Sequence, residues 1–306
     1  MWQVATWLAK KAVKLAINEF QKDPELQNML VEQGKKHLEN FLNKRKLKKE
    51  KQKEFRKFYL ACLLSVALAD DLTKEEESVL KNMFGEMFEE LKTKTQEELL
   101  DIVKHYVKDN RMPLEDRKDI VLSCIDMAIA DMDFDQKEEN LIKGLAEVLE
   151  IEENWTSKQL KATKRLISCL SDDFLKDYEN SENFTFFFKI KPKDYQKLQK
   201  EFCPKGKNFI SVFCIYRTKG LIKTENIALV TFKGLYGKWK NAEKEFLPFA
   251  DIEKISFSKN EEEEKLTFHS IKHKKYTIEA QDLEPFFEFL SKQFGEIIET
   301  NSFTGG

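Results

Sequence analysis

Apolar residues recur with helical spacing over the first half of the chain and with a period of two over much of the second. Trp2, Val4, Ala5, Trp7, Leu8, Val13, Leu15, Ala16, Ile17 and Phe20 form a wide apolar face, with Gln3, Lys10, Lys11, Lys14 and Asn18 opposite. Asp23-Pro24 ends that helix and starts another, running to about Lys44. From Phe55 to Trp155 the spacing stays helical, with Arg111-Met112-Pro113-Leu114 as a break, and a helical connector follows to Tyr178. After the polar stretch Glu179 to Asn183 the period changes: Phe184, Phe186, Phe188 and Ile190 alternate with Thr185, Phe187 and Lys189. Further strands are expected at 208–217, 226–232, 235–239, 251–257, 265–269 and 275–279, and a short helix at Asp194 to Phe202. Lys233-Gly234 reads as a tight turn and Lys259 to Glu264 as an exposed hairpin loop.

A last amphipathic helix opens at Asp282 and carries Leu283, Phe286, Phe287, Leu290 and Phe294 on one face. Seven short strands closed by such a helix predict a small barrel or sandwich plugged at one end. The chain is thus expected to be α+β. Amphipathic helices occupy 1–50, a helical domain 51–156, a connector and linker 157–183, a β domain 184–297 and a disordered tail 298–306.

Within the helical part, Ala67-Leu68-Ala69-Asp70 returns as Ala128-Ile129-Ala130-Asp131. Each word follows an apolar run, Phe58 to Leu68 or Ile120 to Ile129, and precedes an acidic helix start, Thr73-Lys74-Glu75-Glu76 or Asp135-Gln136-Lys137-Glu138. This is the sign of an internally duplicated helical domain. Thr73 with Glu76, and Asp135 with Glu138, have capping-box spacing. Capping leaves Asp70, Asp71, Asp131 and Asp133 unexplained, since a negative charge at a helix C-terminus opposes the macrodipole.

Charge is nearly balanced, with 52 Lys plus Arg against 54 Asp plus Glu, which argues against general nucleic-acid binding. It is nevertheless segregated: Lys44 to Lys57 is basic, while Glu261 to Glu264 and the loops after Asp70 and Asp131 are acidic. The five cysteines, Cys62, Cys124, Cys169, Cys203 and Cys214, form no CxxC pair and read as buried thiols of a reducing, cytoplasmic compartment. No stretch is apolar enough to span a bilayer, and Lys10, Lys11 and Lys14 interrupt any secretory leader. Tryptophan with lysine is the composition of a helix lying at a membrane interface, so Trp2, Trp7, Leu8, Lys10, Lys11 and Lys14 are candidate contacts with an anionic inner-membrane surface. The alternative is that the same face packs on the following helices.

Asp131-x-Asp133-x-Asp135 has the clustered oxygens a hard cation needs, but Gln136 and Ile142 stand where an EF-hand has glycine and glutamate. Asp70, Asp71, Glu76, Asp131, Asp133 and Glu138 are the candidate ligands of a divalent cation, calcium or magnesium. The histidines His37, His105, His269 and His273 fall in no metalloprotease spacing, and neither a glycine-rich phosphate loop nor a GxSxG word occurs. No catalytic residue is nominated, and the chain is read as non-enzymatic.

The repeated word resembles that of the TerB-like family, whose pattern is Ala-x-Ala-Asp-Gly and then an acid-opened helix. The second copy, Ala128 to Glu138 with Leu141 and Ala146 to Leu149 behind it, matches well; the first is one residue shorter. Both lack the glycine, having Asp71 and Met132 instead. The resemblance spans about 55–155. It implies a TerB-like helical bundle, a role in bacterial stress response including phage defence, and a cation held between the two acidic loops. The C-terminal half is similar in strand order to bacterial PH-like domains, through Ile227 to Tyr236, Phe246 to Ile252 and the closing helix Asp282 to Phe294. The combined expectation is a cytoplasmic adaptor, peripheral at the inner membrane, that binds protein partners and is free to oligomerise. A divalent-cation sensor is the alternative.

Overall fold

The computed structural model describes residues 28–304, leaving out 29–30, 33–34, 37, 40–41, 44–48, 70–71, 73, 130–133, 171–177, 179–180, 203–211, 220–223, 241–244 and 261–262. The N-terminal candidates Trp2, Trp7, Leu8, Lys10, Lys11 and Lys14 lie outside the described residues. The rest divides into two compact units, one extending to Ser157 and one starting at Lys158.

The helical unit is organised by α1 (Lys49–Ala67). Every residue from Phe58 to Ala67 is buried, as an all-round apolar helix requires. Around it lie α2 (Lys74–Phe84), α3 (Glu86–Leu91), α4 (Gln96–Asp109), α5 (Leu114–Ala128) and α6 (Gln136–Val148), and the unit ends within α7 (Glu153–Ser168). Gly85 parts α2 from α3 at φ 60°, a conformation that glycine adopts without a Cβ penalty. The α4 helix runs antiparallel to α1: Gln96 Nε2 donates to the Ser65 carbonyl, and Tyr106 stacks on Phe58 at 4.3 Å. Thr95 and Glu98 close a full capping box at the start of α4.

The second unit is built from two sheets. One has the order β1 (Phe184–Phe186), β2 (Val212–Lys219), β3 (Thr224–Thr231), β4 (Gly234–Gly237), β5 (Phe246–Pro248). The other is formed by β6 (Ile252–Lys259), β7 (Glu264–Ser270), β8 (Lys275–Ala280) and β9 (Glu299–Thr304), in the order β8-β7-β6-β9. Pairing is antiparallel except that β9 lies parallel to β6. A helix, α8 (Pro192–Phe202), follows β1, and α9 (Glu284–Phe294) precedes β9. The α9 phenylalanines reach both sheets: Phe286 stacks on Tyr216 of β2 at 4.6 Å, and Phe287 on Phe257 of β6 at 5.2 Å. Glu264 anchors the start of α9 by accepting from the Leu283 and Glu284 amides at 2.5 and 3.2 Å.

The expected mixture of N-terminal helices and C-terminal strands is what the fold shows. The strands do not close into one seven-stranded barrel; among the described residues nine strands form two open sheets. The first expected strand is cut to Phe184–Phe186 by a 3-10 turn at Phe187–Lys189. Phe186 and Phe187 are both buried, so the alternation fails there. Residues 299–304, read as part of a disordered tail, pair with β6 instead, whose edge supplies the partners that their polar sequence does not advertise.

The stretch 157–183, read as connector and linker, contains the larger part of α7, which packs within the β unit. Gln159 is fully buried; its Nε2 donates to the Lys233 carbonyl at 2.9 Å, and its Oε1 accepts from the Ala250 amide at 3.1 Å. Thr163 Oγ1 donates to the Phe232 carbonyl, and Lys158 Nζ to that of Ile252. Farther on, Asn183 binds Arg217 of β2 through both its backbone carbonyl and its amide side chain. The β4 turn that α7 clamps depends on Gly234, where a Cβ would collide with the Leu247 carbonyl.

Candidate functional site

The junction of α5 and α6 carries the second acidic word, and its described portion begins with Phe134, nearly buried, and Asp135. Asp135 is the N-cap of α6: its Oδ1 accepts from the Lys137 amide at 2.7 Å and the Glu138 amide at 2.9 Å. Glu138 Oε2 accepts in return from the Asp135 amide at 2.9 Å. The capping box expected from the spacing is therefore formed, and both carboxylates meet the positive end of the α6 dipole. Glu138 is 3% exposed, so its carboxylate serves inside the fold. Asp135→Ala is expected to lower stability by about 1 kcal/mol. Chemical denaturation followed by far-UV circular dichroism checks this, and an unchanged midpoint would contradict the cap.

Of the other candidate ligands, Asp70, Asp71, Asp131 and Asp133 lie outside the described residues, as does Thr73 of the first capping box. Glu76 belongs to α2, but its side chain is not described. The structure thus places Glu138 alone among the six. Among the described residues, no group of three or more His, Cys, Asp or Glu side chains is arranged to hold a metal ion.

The opposite end of α6 is fixed by a residue that the spacing did not single out. Arg117 of α5 donates through Nη1 to the Leu149 and Glu150 carbonyls, at 2.8 and 3.3 Å, and to Glu150 Oε2 at 2.7 Å. A cation there complements the negative end of the helix, and Glu150 turns the chain at φ 53°. Next to Arg117, the buried Lys118 lies 4.8 Å from the Trp155 ring centroid, a cation–π contact at the start of α7. Asp135 and Glu138 thus cap one end of α6, and Arg117 of α5 ties down the other.

Cys62, Cys124, Cys169 and Cys214 are free and buried. Burial raises all four thiols, that of Cys169 to about 11 despite the opposing charges of Arg165 and Lys292. These four are expected to resist an aromatic disulfide reagent at pH 8 until the protein unfolds. Peptide mapping after a short native pulse checks this, and early labelling at any of them would contradict the burial.

Residues 82–159 match the family described as "Tellurite resistance protein TerB". The span runs from the end of α2 through α6 into α7, so it includes the word Ala128 to Glu138 and begins after the first copy. The helical unit is TerB-like over that span. No curated protein and no solved structure matches the chain. Among the described residues, no helix is long and apolar enough to cross a membrane.

Proposed function

We propose that this protein is a non-catalytic adaptor of bacterial stress response or defence. In this reading the TerB-like unit and the β unit serve as binding modules, and the N-terminal amphipathic stretch touches the inner membrane surface. The observation that carries the reading is the TerB match over residues 82–159 together with a second, separately cored unit in the same chain. We infer further that the β unit is PH-like. Its mostly antiparallel sheets and the closing helix α9, whose phenylalanines reach both sheets, support that assignment, with β9 as an addition after the helix. Fold-level likeness names no ligand, so no lipid-binding residue is assigned.

The membrane contact rests on the sequence Trp2 to Phe20, with Lys10, Lys11 and Lys14 opposite its apolar face. Each lysine near an anionic surface contributes about 1 kcal/mol, and a single such helix anchors weakly, so attachment is reversible. Flotation with vesicles containing phosphatidylserine tests it. The intact chain should rise with the vesicles, less so at high salt, and a chain starting at Asp23 should stay behind. Equal behaviour of the two would show the helix to be ordinary core.

A further inference from the structure

The chain as a whole is charge-balanced, but residues 189–207 are not: they hold seven lysines against only Asp194 and Glu201. The middle of this stretch is α8, and its packing sorts the residues by kind. Leu198 and Phe202, four positions apart, are buried and form the seam that α8 turns inward. At about 100° per residue Lys197 and Lys200 fall on the far side of the helix. Both are exposed, as are Lys189 and Lys191 on the approach to it. The acids do not cancel this face. Asp194 meets Lys197 at 3.2 Å, and Glu201 meets Lys238, which follows β4 and also reaches Glu225, each at 3.4 Å.

Every cation in 189–207 is a lysine. Lysine is a hydrated point charge without the planar fork by which arginine grips one phosphate or one guanine from two sides. From Phe184 to Lys240, every aromatic ring whose side chain is described is buried, so those rings offer nucleotide bases nothing to stack on. Lysines alone, spread along an exposed helix face, suit a diffuse sheet of negative charge better than a discrete anionic group.

We propose that the lysine face of α8 is a second contact of the chain with an anionic lipid surface. This rests on the membrane attachment proposed above and adds what that attachment lacks: a single weakly anchoring helix needs another signal, and a polybasic face is one. Each lysine brought near such a surface strengthens binding about fivefold. Among the described side chains of α8 none that is exposed is apolar, so the face holds by charge and yields to salt. Alone it is too weak to carry the chain through a flotation gradient, and its contribution is read at equilibrium.

Equilibrium titration of the full chain with phosphatidylcholine vesicles, with and without phosphatidylserine, tests this. Lys191→Gln/Lys197→Gln/Lys200→Gln should weaken binding to the phosphatidylserine vesicles by about tenfold or more, with an unchanged melting profile. Lys81→Gln/Lys104→Gln/Lys143→Gln removes the same charge from the helical unit and should leave binding as in the parent. The chain starting at Asp23 should bind weakly and still lose affinity on the α8 substitutions. If that shortened chain binds as the parent does while the α8 variant is impaired, the N-terminal contact fails and the α8 contact stands. An α8 variant that binds as the parent does, or no more weakly than the helical-unit variant, overturns the proposal. So does a loss equally large on vesicles without phosphatidylserine. A parent that leaves the vesicles for an equal charge of double-stranded DNA would mark a nucleic-acid face and overturn it as well.

Discussion

Gln159→Ala is expected to destabilise the β unit by about 2–4 kcal/mol, far more than a surface glutamine would. The side chain is fully buried and satisfies two backbone groups, the Lys233 carbonyl and the Ala250 amide. Alanine leaves the Ala250 amide without its partner where water does not readily reach, and the Lys233 carbonyl with only its bond from the Phe249 amide, so the cost is that of one desolvated orphan and one lost buried hydrogen bond. The effect belongs to the β unit even though Gln159 lies on a helix that begins in the helical one. Hydrogen exchange read by peptide should show faster exchange around 232–236 and 247–252. Unchanged protection there would show that α7 does not hold the turn. For the same reason, a fragment starting at Lys158 should be more stable than one starting at Phe184.

Phe286→Ala is expected to cost about 3–5 kcal/mol, the range for removing a large buried aromatic. Phe286 is fully buried, stacks on Tyr216, and lies 6.5 Å from the Phe184 ring and 6.4 Å from that of Phe289. Its removal opens a cavity where α9 meets the five-stranded sheet. Near-UV circular dichroism should lose aromatic signal and the β unit should melt markedly earlier. A loss under 1 kcal/mol would mean that α9 is not the plug of this core.

What the sequence announced, and what it concealed, follows from the range over which each signal acts. The Asp135–Glu138 cap is legible because both residues lie within one turn and the chemistry is local. Thr95 and Glu98 have the same spacing and could have been read in the same way. The apolar run from Phe58 to Leu68 marks a helix, and its lack of a polar face marks that helix as central. Gln159 gives no such signal: one polar residue at a core position looks like noise until its partners, some seventy and ninety positions away, are brought beside it. The β9 strand is concealed for a related reason. Its residues are polar and do not alternate, and they form a strand because β6 offers an edge in register. Phe187 misleads in the opposite direction, since its apolar side chain extends the strand on paper but turns into the core through a 3-10 turn. Of the candidate site, the structure speaks only to Glu138, and gives it a capping role.

The adaptor reading is tested most directly by quantitative affinity isolation of the tagged full-length chain from its native host before and during tellurite exposure. Membrane and soluble fractions are kept apart. A defined protein partner should be recovered near one-to-one with the chain, and both should shift into the membrane fraction under stress. Recovery of the chain alone, soluble and unchanged in both conditions, would contradict it.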